Sequence, residues 1–469
     1  MKKFLALLLA AIMVFSFVAC NGGEGGKDDA TPTPSQGEEN PTGTEVDFTE
    51  GGKFMNFPGI NGDDNLKLQA FHNFKSDVVT ILYTSDLTPD PLDFDALRDV
   101  YGLSLETTVV GNMEAPTKFL SMYMGGEAPD VYPNSGGYLA LVNKGYLEPW
   151  DKYIDFSLGL WADLTNSIEA VRYNGGVYLL DGINARWDMV WWNADLFSEA
   201  GVKTPQEYYD EGNWTWDTFR QCALDMQVDS DSDGIPEIWG CAIDDNCVFI
   251  YGTGKEFITI NPDGTVENNL KSAEIARGVQ FYIDMVTKDG VVYDGNDGRD
   301  LFAAGKLAMN VGGAWYRATF PDLIKSGAAK IIPYPADPQA DKYYVKESFG
   351  WATKPSGSAN PEGGAAYMVA ARYNKLFADN DPENLAKEAE YTIDEQIEAW
   401  GWSKEIEDYC WDVFYASDRY PTTVVSNFFS ITDWWGEIWF TPQTGTPWST
   451  VAEEVYPQVQ ARIEEILEV

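Results

Sequence analysis

Histidine is almost missing from this sequence. The 469-residue chain has one, His72. That excludes the HExxH zinc site of metalloproteases and argues against a Ser-His-Asp triad. Cysteine is scarce too: of five, Cys222, Cys241, Cys247 and Cys410 are left once Cys20 is set apart. None has CxxC spacing, so a zinc ribbon is not indicated. A Cys241–Cys247 disulfide and plain buried thiols both stay open. Basic residues are outnumbered, with 32 Lys and Arg against 74 Asp and Glu and a formal net charge of -42. Such a charge argues against nucleic acid and against lying on an anionic membrane surface. No GxxxxGK[ST] occurs, so the chain has no P-loop for ATP. Gly252-Thr253-Gly254-Lys255 lacks the first glycine at the required spacing and reads as a turn. No apolar run reaches the about 20 residues that a spanning helix wants.

What is present starts with Met1-Lys2-Lys3 and an apolar run from Phe4 to Ala19, broken only by Ser16 and stopping at Cys20. Two lysines, a short apolar core and a small residue are the parts of a secretory signal. The Phe17-Val18-Ala19-Cys20 tetrad resembles the lipobox of bacterial lipoproteins, with Phe17 where that family prefers Leu. The resemblance implies a signal peptide over 1–19, cut before Cys20, and a lipid on that cysteine. Each buried CH₂ of an acyl chain contributes about 0.8 kcal/mol, and stable anchoring takes more than one chain. The cut would bring the net charge to -44, because Lys2 and Lys3 leave and no acid does. Residues 20–59 are rich in Gly, Pro, Ser, Thr and acids, including Thr31-Pro32-Thr33-Pro34-Ser35, and read as a flexible linker.

The remainder is too long for one core. Val78 to Thr84 is a β-branched run and reads as a buried strand. Pro91 to Val100 has helical spacing, Leu103 to Val110 returns to strand, and Pro116 to Met124 reads as a helix ending at Gly125-Gly126. Alternating strands and helices predict an α/β lobe with parallel strands, whose ligands sit at the carboxyl ends of the strands. Asp86, Asp130, Tyr132 and Asn134 all follow predicted strands.

Further on, an ordered series appears: Tyr173-Asn174-Gly175-Gly176-Val177-Tyr178, Trp192-Asn193-Ala194-Asp195-Leu196-Phe197, Trp214-Thr215-Trp216-Asp217-Thr218-Phe219, Leu301 to Met309 followed by Gly312-Gly313-Ala314-Trp315, and Ala359-Asn360-Pro361-Glu362. In this order it resembles the family 1 extracellular solute-binding proteins, the capture subunits of bacterial carbohydrate importers. The resemblance implies an α/β, two-lobed periplasmic-binding-protein-like fold of class II that closes on its ligand like a hinged clamp. Lobe one would hold 60–184 plus 349–398, and lobe two 185–348 plus 399–469. It also implies cleft positions for Arg186 and Trp187 at one lobe crossing, for Trp351 at the other, and for Trp315 and Tyr316 after the paired glycines. Sugar CH faces stack on aromatic rings, and sugar hydroxyls donate to Asp, accept from Arg and do either with Asn. Trp434-Trp435 is a lesser candidate on a C-terminal loop, and most of the 17 tryptophans belong to the core.

Asp229-Ser230-Asp231-Ser232-Asp233-Gly234-Ile235-Pro236-Glu237 places acids at positions one, three, five and nine of a calcium-type loop, with Gly at six. Asp229, Asp231, Asp233, the Ile235 carbonyl and Glu237 are the candidate ligands of a structural Ca²⁺. Gly240 stands where a bidentate Glu would complete the loop, so a solvated acidic turn is the other reading. The whole predicts a monomeric lipoprotein that is not an enzyme. It would sit on the extracellular face of the cell membrane, bind a carbohydrate and deliver it to the permease subunits of an ABC importer. A secreted glycan-degrading enzyme and a sugar-sensing or adhesion module are the alternatives.

Overall fold

The computed structural model describes residues 45–46, 68–84, 97–111, 113–133, 137–180, 186–243, 248–295, 297–348, 352–380, 386–387, 389–410, 413, 419–423, 438 and 444–468. All belong to the compact unit Asn40–Val469. The expectations placed on Cys20, Asp86, Asn134, Cys247, Trp351 and Trp434-Trp435 lie outside the described residues. No helix of the described residues is long and apolar enough to cross a membrane.

Parallel strands β1 (Val78–Thr84) and β2 (Ser104–Val110) come first, followed by helix α1 (Ala115–Met124) and the short strands β3 (Tyr132–Pro133) and β4 (Leu179–Leu180). Next are β5 (Arg186–Asn193), α2 (Ala194–Ala200), α3 (Trp216–Met226), β6 (Trp239–Ile243), α4 (Ala273–Asp284) and β7 (Val292–Tyr293). Then come α5 (Gly298–Ala303), β8 (Leu307–Gly313), β9 (Ala329–Ile332), β10 (Tyr343–Ser348), β11 (Ala352–Thr353), α6 (Pro361–Asn380), β12 (Arg419–Thr423) and α7 (Trp448–Leu467). Local chemistry sets many boundaries. The Asn193 side chain accepts from the Asp195 and Leu196 N–H groups and opens α2, which Gly201 closes at φ 66°. Thr215 and Thr218 form a reciprocal cap on α3.

Two sheets organise the body. A small one has the order β3-β11-β4, and a seven-stranded one has the order β7-β6-β8-β5-β10-β12, with β9 also on β5. The chain leaves the small sheet after Leu180 and is in the large one by Arg186. It leaves the large sheet at Ser348 and re-enters the small one at Ala352. These two passages pair antiparallel, Trp187 opposite Glu347 and Arg186 opposite Ser348. Two sheets joined by two passages of the chain give the mixed α/β, two-lobed layout that the sequence implies.

In the large sheet, side chains alternate between two cores. Val190 and Trp192 join Met309, Val311, Cys241 and Phe219, while Met189 and Trp191 join Phe302, Phe320 and Ile331. Cys222 and Cys241 are free and buried, and burial pushes both thiols upward, Cys222 to about 12. Cys241 points into this packing, its thiol 3.7 Å from the Val291 carbonyl.

Two expectations need correction. The sequence reading gave 399–469 wholly to lobe two. Ile406 and Cys410 do pack with Phe302 and Phe320. Helix α7, however, buries Val451, Val455, Val459 and Ile463 in one continuous core with Tyr138, Trp161 and Val177 of lobe one and with Leu270 and Ile275. Asn143 Nδ2 donates to the Ile466 carbonyl at 2.9 Å, and Trp448 Nε1 to that of Leu270 at 2.9 Å. An apolar stripe at 3.6-residue spacing shows that a helix is covered, not by which lobe.

The second correction concerns Asp130, read as a ligand residue. It is 1% exposed. Its Oδ2 accepts from the Thr80 N–H (2.9 Å) and hydroxyl (3.0 Å), and its Oδ1 from the Asn360 N–H (2.8 Å). Asn360 in turn donates from Nδ2 to the Ser76 and Val78 carbonyls and accepts from the Lys75 N–H. Asp130 therefore staples β1 to the start of α6, and both its oxygens are committed. Removing an acceptor that serves three donors, one buried and two part-buried, costs about 3 kcal/mol. Asp130→Ala should lower unfolding stability by about that much in urea titrations, with Asp130→Asn intermediate. An unchanged urea midpoint in Asp130→Ala would refute the staple.

Candidate functional site

Strands β6, β7 and β8 run parallel, with β6 between the other two. Their carboxyl ends share one edge of the large sheet, the place where open α/β sheets hold ligands. Helix α5 follows β7 there, and the short 3₁₀ helix Ala314–Thr319 follows β8. Strand β5 is antiparallel to β8, with Asp188 opposite Gly313 and Met189 opposite Gly312. The backbone of Arg186 and Trp187 therefore belongs to the same edge. Their side chains lie outside what the structure describes.

The group at that edge is Trp315, Tyr316 and Arg299. Trp315 is 60% exposed, while Tyr316 is buried at 3%. The two rings meet edge to face, with centroids 4.5 Å apart at 85°. The Arg299 guanidinium carbon lies 4.6 Å from the Trp315 ring centroid and 5.2 Å from that of Tyr316. A cation over an aromatic face contributes about 0.5–1 kcal/mol at an exposed site. The paired glycines make room for this. A Cβ on Gly312 would fall 2.2 Å from Tyr316 Cζ, so only glycine lets the phenol ring lie against the strand. Trp191 pins the same turn, its Nε1 donating to the Gly313 carbonyl at 3.3 Å. Further in on β8, Asn310 is fully buried and neither of its amide atoms has a protein partner. Native proteins usually satisfy such a group with ordered water.

Trp315 thus presents an indole supported from below, while Tyr316, expected in the cleft, serves as the support. Tyr132 is 1% exposed and lies parallel to Phe119, with centroids 4.4 Å apart at 1°. Its carbonyl accepts from the Thr353 hydroxyl at 2.7 Å, which joins β3 to β11. Tyr132 and Asp130 are core residues of lobe one, not part of the edge that carries Trp315. Arg299 is a member that sequence reading missed. Its only signal was a lone basic residue among Asp294, Asp297 and Asp300.

The acidic loop folds on itself. Asp229, Asp231 and Asp233 each bring one carboxylate oxygen within 4.8 Å of the others. Ser232 (φ 59°) and Gly234 (φ 87°) turn the chain left-handed there. Asp229 Oδ2 accepts from the Gly234 N–H at 3.1 Å, whereas Oδ1 is buried without a protein partner. Glu237 departs from the expected ligand set, because its carboxylate accepts from the Ser230 hydroxyl (2.5 Å) and N–H (2.9 Å). Those bonds, the hydroxyl first, hold it below the usual glutamate range. The Ile235 side chain is 69% exposed.

Residues 99–373 match the family model described as bacterial extracellular solute-binding protein. No curated protein matches by sequence. Among solved structures, UspC of M. tuberculosis is similar at 17% identity and a TM-score of 0.59, over 83% of this chain and 100% of that one. The ABC substrate-binding protein Lmo0181 of Listeria monocytogenes, in complex with cycloalternan, is similar at 18% identity and a TM-score of 0.56, over 82% and 99%. The GacH receptor of Streptomyces glaucescens, also studied with acarbose, gives 16% identity and a TM-score of 0.51, over 81% and 98%. At such identities the likeness is one of fold.

Proposed function

The chain belongs to the bacterial extracellular solute-binding proteins, and from that premise we propose that it captures a carbohydrate outside the cell for an ABC importer. The family is one of binding proteins rather than enzymes, so the glycan-degrading alternative falls away. The observation that carries the carbohydrate reading is Trp315, a largely exposed indole at the carboxyl edge of three parallel strands. An exposed ring held by buried neighbours is what a sugar CH face stacks on. The cycloalternan complex of the Listeria relative supports the same class of ligand. Trp187, Arg186 and Trp351 would line the lobe crossings around it, with Asp86 and Asn134 supplied by lobe one. Binding would favour the closed arrangement of the lobes through contacts made only there. The closed receptor, a monomer, would then dock on separate permease subunits.

Lipid on Cys20 would keep the receptor at the outer membrane face, with 20–59 as its leash. Asp229, Asp231 and Asp233 would hold a Ca²⁺ with the Ile235 carbonyl. The buried, unpartnered Asp229 Oδ1 fits a cation ligand, and hard Ca²⁺ takes oxygen donors of this kind. The ion would brace the turn and take no part in ligand contact.

Three outcomes are expected. In a thermal-shift and calorimetric screen of mono- and oligosaccharides, at least one should bind, and Trp315→Ala should weaken it about tenfold or more. An unchanged affinity in Trp315→Ala would remove the stacking role. Cys20→Ser should move the protein from the membrane fraction to the medium and abolish labelling by a palmitate analogue; continued labelling would refute the anchor. EGTA should lower the melting temperature and added Ca²⁺ restore it, since saturating a native-only site at 100 times its Kd contributes about 2.7 kcal/mol. Asp231→Asn should abolish that response. A melting temperature indifferent to EGTA counts against the ion.

A further inference from the structure

Arg299 is the outlier among the arginines whose side chains are described; Arg317 and Arg372 donate to the Ala314 and Leu160 carbonyls. Arg98, Arg172, Arg220, Arg277 and Arg462 each hold a carboxylate. Arg299 has no hydrogen-bond or ion-pair partner among the described residues, although the chain carries 74 acids. Three of them, Asp294, Asp297 and Asp300, are within five residues of it in sequence. Asp297 accepts from the Tyr293 hydroxyl instead. A cation left without a partner in so acidic a protein needs a reason.

Its surroundings supply one. Arg299 is half-buried and stands 4.6 Å from the centroid of the exposed Trp315 ring and 5.2 Å from that of buried Tyr316. It lies in the first turn of α5, just beyond β7, and Trp315 lies just beyond β8. Both therefore rise from the carboxyl edge of the parallel strands. Contact with aromatic rings engages the guanidinium as a cation and leaves its N–H donors unspent. Those five donors form a planar fork that matches a carboxylate or a sulfate. Neutral hydroxyls do not need a charged donor, whereas an oxyanion pairs with one in a short, charge-assisted bond.

We propose that this edge selects an anionic saccharide: a sugar ring lies on Trp315 while its carboxylate or sulfate ester takes the fork of Arg299. This rests on the carbohydrate reading above and narrows it. The overall charge of -42 works against an anion at long range, but screening confines that repulsion to about 8 Å at physiological salt. The paired contact acts inside that distance.

The test is calorimetry on the whole mature chain. The probes are di- to tetrasaccharides of glucose, galactose and mannose, the matching glucuronate, galacturonate and mannuronate oligomers, and sulfated galactan oligomers. At least one acidic series should bind about tenfold or more tightly than its neutral counterpart, with a preference that shrinks as salt rises. The uronate and sulfate arms tell the two oxyanions apart. Arg299→Gln should erase the acid-to-neutral ratio, and Arg299→Lys, which keeps the charge but not the fork, should retain part of it. Equal or better binding of the neutral sugars overturns the proposal and leaves the carbohydrate reading standing. So does an acid-to-neutral ratio unchanged in Arg299→Gln. If no saccharide of either kind binds, both fail.

Discussion

The pairing of β5 with its neighbours is the constraint on which the rest depends. This strand bonds to β8, β9 and β10, all antiparallel. Its first residues belong to the passage between the lobes, its middle closes both cores of the large sheet, and its last residue caps a helix. Val190 and Trp192 face one core and Met189 and Trp191 the other, so over residues 189–192 neither side of the strand meets water. A slip of one residue would exchange the two faces and put the larger tryptophan where the smaller valine packs. It would also shift Gly313 away from Asp188 and dismantle the edge that carries Trp315. Fold and site are thus set by one register.

How far the sequence could be read follows from which signals are local. Local composition placed β1, β2 and α1 within a residue or two: a β-branched run for β1, a return to strand residues for β2 and a stretch ending at Gly125-Gly126 for α1. The alternation of Trp191 and Trp192 between opposite sides was legible for the same reason. The reason for Gly312 appears only in the fold, where close packing of Tyr316 forbids a side chain there. Long-range facts were not legible. Asp130 stands after a strand, where ligand residues and structural caps look alike in sequence. Only the arrival of Thr80 and Asn360, from 50 residues before it and 230 after it, distinguishes them. The stripe of α7 announced a buried helix without naming its partner. Arg299 was hidden in an acidic stretch, because its lack of a partner among the described residues is set by tertiary placement and leaves no mark in the sequence.

The acidic loop shows a mixed case. The spacing of Asp229, Asp231 and Asp233 correctly implied that their carboxylates converge. The same spacing suggested Glu237 as a ligand, yet Ser230 takes it to close the loop. A carboxylate beside a turn has backbone N–H groups and hydroxyls competing for it, and the nearer donor wins.

The sealing of Asp130 and the openness of Trp315 have a consequence for how such a receptor can diversify. Its frame is fixed by groups that touch no solvent, so their replacement is punished whatever the ligand. Its rim is made of side chains that stand on the sheet edge and bear little of the packing. If Arg299 and Trp315 meet the ligand as proposed, a lineage could exchange those two residues and sample new ligands while the scaffold beneath them keeps its shape.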